Sequence, residues 1–236
     1  MLIDFASIVD MFKDLIAYVP VTLALTVASM LLATLLGLGA AFARTDKIPV
    51  VTQLANAYVF LGRALPPMIV LYLVFFGLPI FLMIATGNQN QTALLAQINP
   101  AVYAIIGLGL HAGAYMSEIF RAAIQSVPKG QVEAALAIGM TYPQAFLRVI
   151  MPQAAVFATP LVANQFLNVL KGTSIAFMIT VVEMFGASSV LAASNNLYLE
   201  VYLLIACMYW SISIAVEKIF LILEAHLSYF KRGVKI

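Results

Sequence analysis

Long apolar stretches, separated by short runs of prolines, charged and polar residues, make up most of the chain. Each long stretch has about the 20 residues that a helix needs to cross the hydrocarbon core of a bilayer. The pattern therefore predicts five membrane-spanning helices. They cover residues 20–43, about 56–85, about 101–122, about 149–170 and about 200–223.

The first residues follow a different pattern. Phe5, Ile8, Phe12 and Ile16 recur at helical spacing, and acidic side chains such as Asp10 occupy the opposite side. A helix with one apolar and one charged face is typical of a segment that lies on a membrane surface. We therefore predict an amphipathic surface helix over residues 1–17.

Composition supports a membrane protein. Hydrophobic residues make up 64% of the chain and charged residues 9%, and the mean hydropathy is +1.03. A soluble domain carries roughly 25% charged residues, so this chain has too little charge to cover a water-facing surface. The fold class is therefore all-α and integral to the membrane, with residues 1–236 forming one transmembrane domain. The net charge of +2 gives no reason to expect nucleic acid as a partner.

Lysines and arginines are distributed unequally between the two sides that five spans define. One side has Lys13, accompanied by acids. The other collects most of the remaining cations outside the spans, namely Arg44, Lys47, Arg121, Lys129, Arg148, Lys231, Arg232 and Lys235. Because cytoplasmic loops carry the excess of Lys and Arg, the C-terminus and residues 126–152 are predicted in the cytoplasm. The N-terminal helix is then outside.

Residues 126–152, between the third and fourth spans, are more polar than their surroundings. They contain two short helical patterns separated by Gly139, and a glycine after a short helix is typical of a C-terminal cap. Thr141 followed by Gln144 fits a capping box at the start of the next helix. The segment is therefore predicted to be two short helices joined by a sharp turn.

The spacing within this segment resembles a known motif. Glu133-Ala134-Ala135, Gly139 and Pro152 match the EAA loop of bacterial ABC import permeases. The flanking stretches AYMSEIFRAAIQSVPKGQVEAALAIGM, GRALPPMIVLYLVFFGLP and LNVLKGTSIAFMITVVEM are similar to the permeases for polar amino acids such as histidine, glutamine, arginine, opines and cystine. The resemblance covers nearly the whole chain.

This resemblance implies a type I importer permease: a five-helix bundle with a cytoplasmic coupling helix, in the bacterial cytoplasmic (inner) membrane. It implies that Glu133, Ala134, Ala135 and Gly139 contact the ATPase. The chain contains no phosphate-binding glycine loop with its lysine, so we expect a non-catalytic subunit without a cofactor. Two partner ATPase subunits would bind ATP and Mg²⁺. An extracytoplasmic substrate-binding protein and a second permease, either another copy or a related chain, would complete the transporter.

Polar residues in and after the fourth span are candidates for the translocation path, because ionisable and polar groups are costly at membrane depth. They are Asn164, Gln165, Asn168, Lys171, Gly172, Thr173 and Ser174. We expect Gly172 to end the helix, so that a short half-helix over residues 174–182 offers its N-terminus to a carboxylate. The alternative is that these side chains hydrogen-bond neighbouring helices together.

Three charged residues, Arg63, Glu118 and Arg121, lie near the predicted inner surface. Arg63 either borders the path or extends to the lipid headgroups. Glu118 and Arg121, three residues apart on one helix, fit a structural ion pair or an interfacial anchor.

The charge in and after the fourth span narrows the class of substrate. Lys171 is the one ionisable group between residues 149 and 182, so a cationic amino acid would meet a like charge and no carboxylate. A neutral, zwitterionic amino acid fits better. Resemblance to cystine permeases makes L-cystine the first expectation and glutamine the second. The alternative function is a secondary transporter or channel that works without ATP and needs no cytoplasmic coupling segment.

Overall fold

The computed structural model describes residues 5–45, 49–87 and 98–232 of the chain. Most of the segment between the predicted second and third spans lies outside the described residues, as do Lys47 and Lys235. The helices of the described part are α1 (Phe5–Ile16), α2 (Val19–Thr45), α3 (Pro49–Ala64), α4 (Pro67–Thr86), α5 (Pro100–Gln125), α6 (Lys129–Ala137), α7 (Tyr142–Ala145), a π-helical turn (Phe146–Ile150), α8 (Met151–Gly172), a 3-10 helix (Thr173–Ile179), α9 (Met184–Asn195) and α10 (Tyr198–Arg232).

Helix α5 is the centre of the bundle, in contact with α2, α3, α4 and α8. Small residues allow its closest contact, which is with α2. A Cβ atom added at Gly37 of α2 would lie 2.6 Å from the Cβ of Met116 on α5. Two backbones approach this closely only where a side chain is missing, a common device for packing helices in membranes.

Four helical stretches of the described residues are long and apolar enough to span a membrane: Ile8–Thr45, Pro67–Thr86, Tyr142–Ile179 and Tyr198–Ser228. They contain the predicted first, fourth and fifth spans and the second part of the predicted second span. The predicted third span, α5, is not among them. Its position among α2, α3, α4 and α8 reduces its contact with lipid, so it can tolerate a less apolar sequence. The all-helical membrane fold is thus confirmed, and the number of five spans stays a prediction.

The prediction of one continuous second span was wrong. The chain forms α3, then bends at Leu65-Pro66, and only α4 has the hydropathy of a span. Pro66 has an extended backbone (φ −58°, ψ 143°), and Pro67 occupies the first turn of α4. Two consecutive prolines remove two backbone donors and disfavour the helical conformation in the residue that precedes each of them. Arg63 consequently belongs to the last turn of α3.

The amphipathic N-terminal helix is present as α1, and its apolar side is partly used inside the protein. Met11 and Leu15 are buried, at 4% and 1% exposure, in a cluster with residues of α9 and α10. Phe12 and Ile16 remain exposed. Helix α1 is therefore packed onto the edge of the bundle rather than held by lipid alone.

The expected helix start at Thr173-Ser174 was also wrong. Helix α8 continues without a bend into the 3-10 helix, because Gly172 keeps helical dihedral angles (φ −68°, ψ −18°). The hydroxyls of Thr173 and Ser174 donate back to the carbonyls of Leu170 and Lys171, both at 2.8 Å. The break falls later, between Thr180, which has a φ of +68°, and the start of α9 at Met184.

Candidate coupling segment and translocation path

Helix α6 ends at a turn that depends on Gly139. This glycine has a φ of +89°, a conformation that side chains with a Cβ rarely adopt. Its N–H donates to the carbonyl of Leu136 at 3.0 Å, and the N–H of Met140 donates to that of Ala135 at 3.1 Å. These two bonds form a Schellman motif, which satisfies the last carbonyls of the helix. The predicted glycine turn is therefore present.

One side of α6 is available to a partner. Glu133 and Ala134 are exposed, and the apolar side chains of Leu136 and Ile138 are 43% and 76% exposed. Ala135, by contrast, is only 5% exposed and faces the chain's own core. Of the two alanines expected to contact the ATPase, Ala134 is the accessible one, and Ala135 lets α6 pack closely on the bundle.

Helix α6 is firmly attached to the start of α8. Val132 packs against a core cluster that includes Ile150 and Ala154. The amide nitrogen of Gln153 is 3.3 Å from the side-chain oxygen of Gln131 and donates to the Val149 carbonyl at 2.9 Å. Displacement of α6 would therefore be transmitted to α8.

The helix that follows the turn begins as predicted. The Gln144 side chain accepts a hydrogen bond from the N–H of Thr141 at 3.0 Å, completing a capping box. A π-helical turn, Phe146–Ile150, comes before Pro152. Proline has no N–H to donate to the carbonyl four residues earlier, so the local hydrogen-bond register has to change there. The short helix α7 and the span α8 form one helical stretch as a result.

A cavity of about 280 Å³ with a mixed polar and apolar lining lies between α4, α5 and α8. Its lining mixes ring, amide and apolar side chains from three helices. The lining residues are Pro67, Leu108, His111, Tyr115, Gln165, Asn168, Val169 and Gly172. The rings of His111 and Tyr115 pack against each other with centroids 5.3 Å apart. The cavity offers hydrogen-bonding groups at membrane depth, which lipid does not supply.

The predicted path residues separate into two groups. Gln165, Asn168 and Gly172 line the cavity. Outside it, Asn164 and Lys171 are exposed on α8, Thr173 is fully buried and Ser174 is half-buried. The structure thus brings three of the seven candidates of this region to one cavity.

Glu118 connects three helices through arginines. Its carboxylate accepts from Arg44 Nη1 of α2 at 2.7 Å and from Arg121 Nη2 of α5 at 2.6 Å, and Arg63 Nη1 of α3 is 3.6 Å away. The predicted Glu118–Arg121 ion pair is therefore present. Arg63 also lies over the ring of Tyr115, 5.8 Å from its centroid. It is next to the cavity wall without being a lining residue.

Sequence reasoning missed two features. His111 and Tyr115 were not considered for the path, although an ionisable residue at membrane depth is a functional candidate by default. Glu183, which directly follows the predicted half-helix over residues 174–182, is 0% exposed and hydrogen-bonded to Thr22, Gly186 and Tyr209. A single acid between two apolar segments was the available signal.

Comparison with known proteins identifies the fold. Residues 33–229 match the family described as binding-protein-dependent transport system inner membrane component. The chain is 41% identical over 212 residues to the probable amino-acid permease protein YxeN of Bacillus subtilis (strain 168), covering 90% of each chain. It is 38% identical over 221 residues to the L-cystine transport system permease protein TcyL of the same organism, covering 94% of this chain and 90% of the relative.

A solved structure is also similar. A chain in the crystal structure of an amino acid ABC transporter with histidines superposes with a TM-score of 0.81 at 28% identity. The match covers 96% of this chain and 100% of that one. The resemblance to polar amino acid permeases, based on the EAA spacing and its flanking stretches, is thereby confirmed. The chain belongs to the family of binding-protein-dependent transport system inner membrane components, the non-catalytic permease subunits of ABC transporters.

Proposed function

We propose that the chain is the permease subunit of an ATP-driven importer for polar amino acids in the bacterial cytoplasmic membrane. The observation that supports this proposal is the position of helix α6. This helix has the EAA spacing, exposes Glu133 and Ala134, and contacts the span that lines the cavity. Family membership implies that the nucleotide and Mg²⁺ are bound by a separate ATPase.

The contacts of α6 indicate how movement of the ATPase during ATP hydrolysis would change the translocation path. Glu133 can form a charge-assisted hydrogen bond with the ATPase, and the Gly139 turn gives α6 a fixed shape. Movement of the ATPase would displace α6 and, through Val132 and the Gln131–Gln153 contact, the start of α8. Because Gln165 and Asn168 lie on the same helix, the cavity would change shape with it.

A second permease, either another copy or a related chain, fits the exposed polar side of α8. Asn164 and Lys171 are exposed at a depth where lipid cannot hydrogen-bond them. A path enclosed between two permeases would solvate them. The external binding protein, expected from the family, would deliver substrate on the side opposite α6.

The cavity favours a neutral substrate. Among the described residues that line it, none is acidic, while the imidazole, phenol and two amides offer neutral hydrogen-bonding groups. Its volume is close to the lower limit of typical ligand cavities, about 300 Å³. A zwitterion with a polar neutral side chain matches these groups. L-cystine is the first candidate, since TcyL is a named cystine permease, and glutamine is the second.

Uptake assays in cells lacking other amino acid carriers test this proposal. Cells carrying the complete transporter should accumulate cystine or glutamine in preference to arginine, lysine and histidine. Asn168→Leu should raise the apparent KM about fivefold or more, because a hydrogen-bonding group of the cavity is lost. Asn164→Leu, on the same helix but outside the cavity, should have a smaller effect. Preference for cationic amino acids, or equal effects of the two variants, would reject the neutral cavity as the substrate site.

A further inference from the structure

Glu183 is a fully buried carboxylate in a region where the chain changes direction. It lies between the 3-10 helix Thr173–Ile179 and helix α9, directly before Met184. Its relative exposure is 0%. The next residue, Met184, belongs to an apolar cluster with Leu15 of α1 and Val201 of α10, and Tyr209, which contacts Glu183, packs against that cluster. A charge in such surroundings is expensive unless it is fully hydrogen-bonded.

Three donors satisfy this carboxylate. The Gly186 N–H donates to Oε1 at 2.9 Å, so Glu183 is the N-cap of α9. The hydroxyls of Thr22 on α2 and Tyr209 on α10 both donate to Oε2 at 3.0 Å. The Thr22 hydroxyl in turn accepts from the Met184 N–H at 3.1 Å, and Glu183 Oε2 is a closer acceptor for its proton than the Tyr18 carbonyl at 3.4 Å.

All three partners of the Glu183 side chain donate hydrogen bonds, and it lies at the N-terminus of α9, where the helix dipole favours a carboxylate. No lysine or arginine among the described residues forms an ion pair with Glu183. Its carboxylate is therefore held by neutral donors from α2, α9 and α10.

The same network reaches the end of the 3-10 helix. Phe177 packs against the first turn of α9, where a Cβ at Gly186 would lie 2.7 Å from the ring. The N–H of Gly186 donates to Glu183, so this contact is positioned by a partner of Glu183.

We propose that Glu183 is a positioning residue for the translocation path. Held in place by Thr22 and Tyr209, it acts through Gly186 to position the segment Thr173–Ile179, which continues directly from the cavity-lining end of α8 at Gly172. The functional part of this inference rests on the proposed transport function. Glu183 touches neither the cavity nor the substrate.

The test measures two quantities separately: the accessibility of the segment Thr173–Ile179 and the rate of amino acid transport. Ser174→Cys in a Cys207→Ala background gives one cysteine, placed in the 3-10 helix. In the complete transporter, its rate of modification by a water-soluble maleimide and the KM and Vmax of amino acid uptake are measured. Glu183→Gln, Tyr209→Phe and the double variant are compared with Glu217→Gln, which changes an exposed glutamate on α10.

We expect Glu183→Gln and Tyr209→Phe each to change the modification rate and to lower Vmax by about three- to thirtyfold, with KM little affected. The double variant should resemble the more affected single variant, because both remove the same link. Glu217→Gln should behave as the parent. If Glu183→Gln fails to insert, Tyr209→Phe decides, since it keeps the carboxylate and its contacts with Thr22 and Gly186.

Parental modification rates and parental Vmax in Glu183→Gln and Tyr209→Phe would overturn the proposal, as would strictly additive effects in the double variant. A changed modification rate in a transporter that carries no amino acid would support the positioning role and reject the proposed function instead.

Discussion

Single residues decide the shape of the coupling segment. Gly139 has a φ of +89°, and no neighbouring atom lies within 4 Å of the position its Cβ would occupy. The requirement for glycine is thus conformational and not steric. The sequence predicted this turn because a glycine after a short helix has one common use. It could not predict that Ala135 is buried, since this depends on how α6 lies on the bundle.

Gly139→Val should disturb the coupling segment, with Gly130→Val as its matched control. Neither position has a neighbour within 4 Å of an added Cβ, and only Gly139 has a positive φ. The left-handed conformation costs a residue with a Cβ about 1–2 kcal/mol. We expect Gly139→Val to insert normally and to lose most ATP-driven uptake, while Gly130→Val keeps most of it. Uptake per membrane-inserted transporter is the measurement, and equal activities would show that the turn is not required.

At the scale of elements, the structure differs from the sequence prediction at two places, the proline pair Pro66-Pro67 and Gly172. Pro66-Pro67 divides the predicted second span, because neither residue can donate a hydrogen bond. The predicted break at Gly172 is absent, since helical dihedral angles are open to glycine and the next two hydroxyls cap within the helix. The cavity is lined by residues of α4, α5 and α8. The spacing of apolar residues along the sequence does not show that these three helices are neighbours.

The α2–α5 contact can be tested with one methyl group. Gly37→Ala would place a Cβ 2.6 Å from that of Met116, whereas an added Cβ at Gly39 on the same helix meets nothing within 4 Å. Overpacking of this kind costs about 1–3 kcal/mol. We expect thermal unfolding of the purified protein in detergent to occur at a lower temperature for Gly37→Ala, and near the parental value for Gly39→Ala. Equal midpoints for the two variants would show that the helices are not in tight contact here.

At the scale of the whole molecule, three arginines are brought together at one place in the bundle. Arg44, Arg63 and Arg121, from three helices, meet around Glu118. This part of the bundle leads into α6 through the end of α5. By the positive-inside rule, it would face the cytoplasm, where the ATPase is found.

Topology labelling tests this orientation. Single cysteines at Asn88 and Lys235, each in a Cys207→Ala background, are treated with an impermeant thiol reagent in intact cells. We expect the cysteine at position 88 to react and that at position 235 to react only after the cells are opened. The reverse pattern would put α6 outside the cell and exclude its contact with the ATPase.

The central claim is that α6 transmits the work of a separate ATPase to the translocation path, and Glu133→Lys tests it most directly. The complete transporter is reconstituted in proteoliposomes, and ATP-driven amino acid uptake and ATPase association are measured for the parent and the variant. We expect the variant to insert like the parent and to lose ATPase association or ATP-driven uptake, because the charge offered to the ATPase is inverted. Full association with uptake at the parental rate would contradict the account.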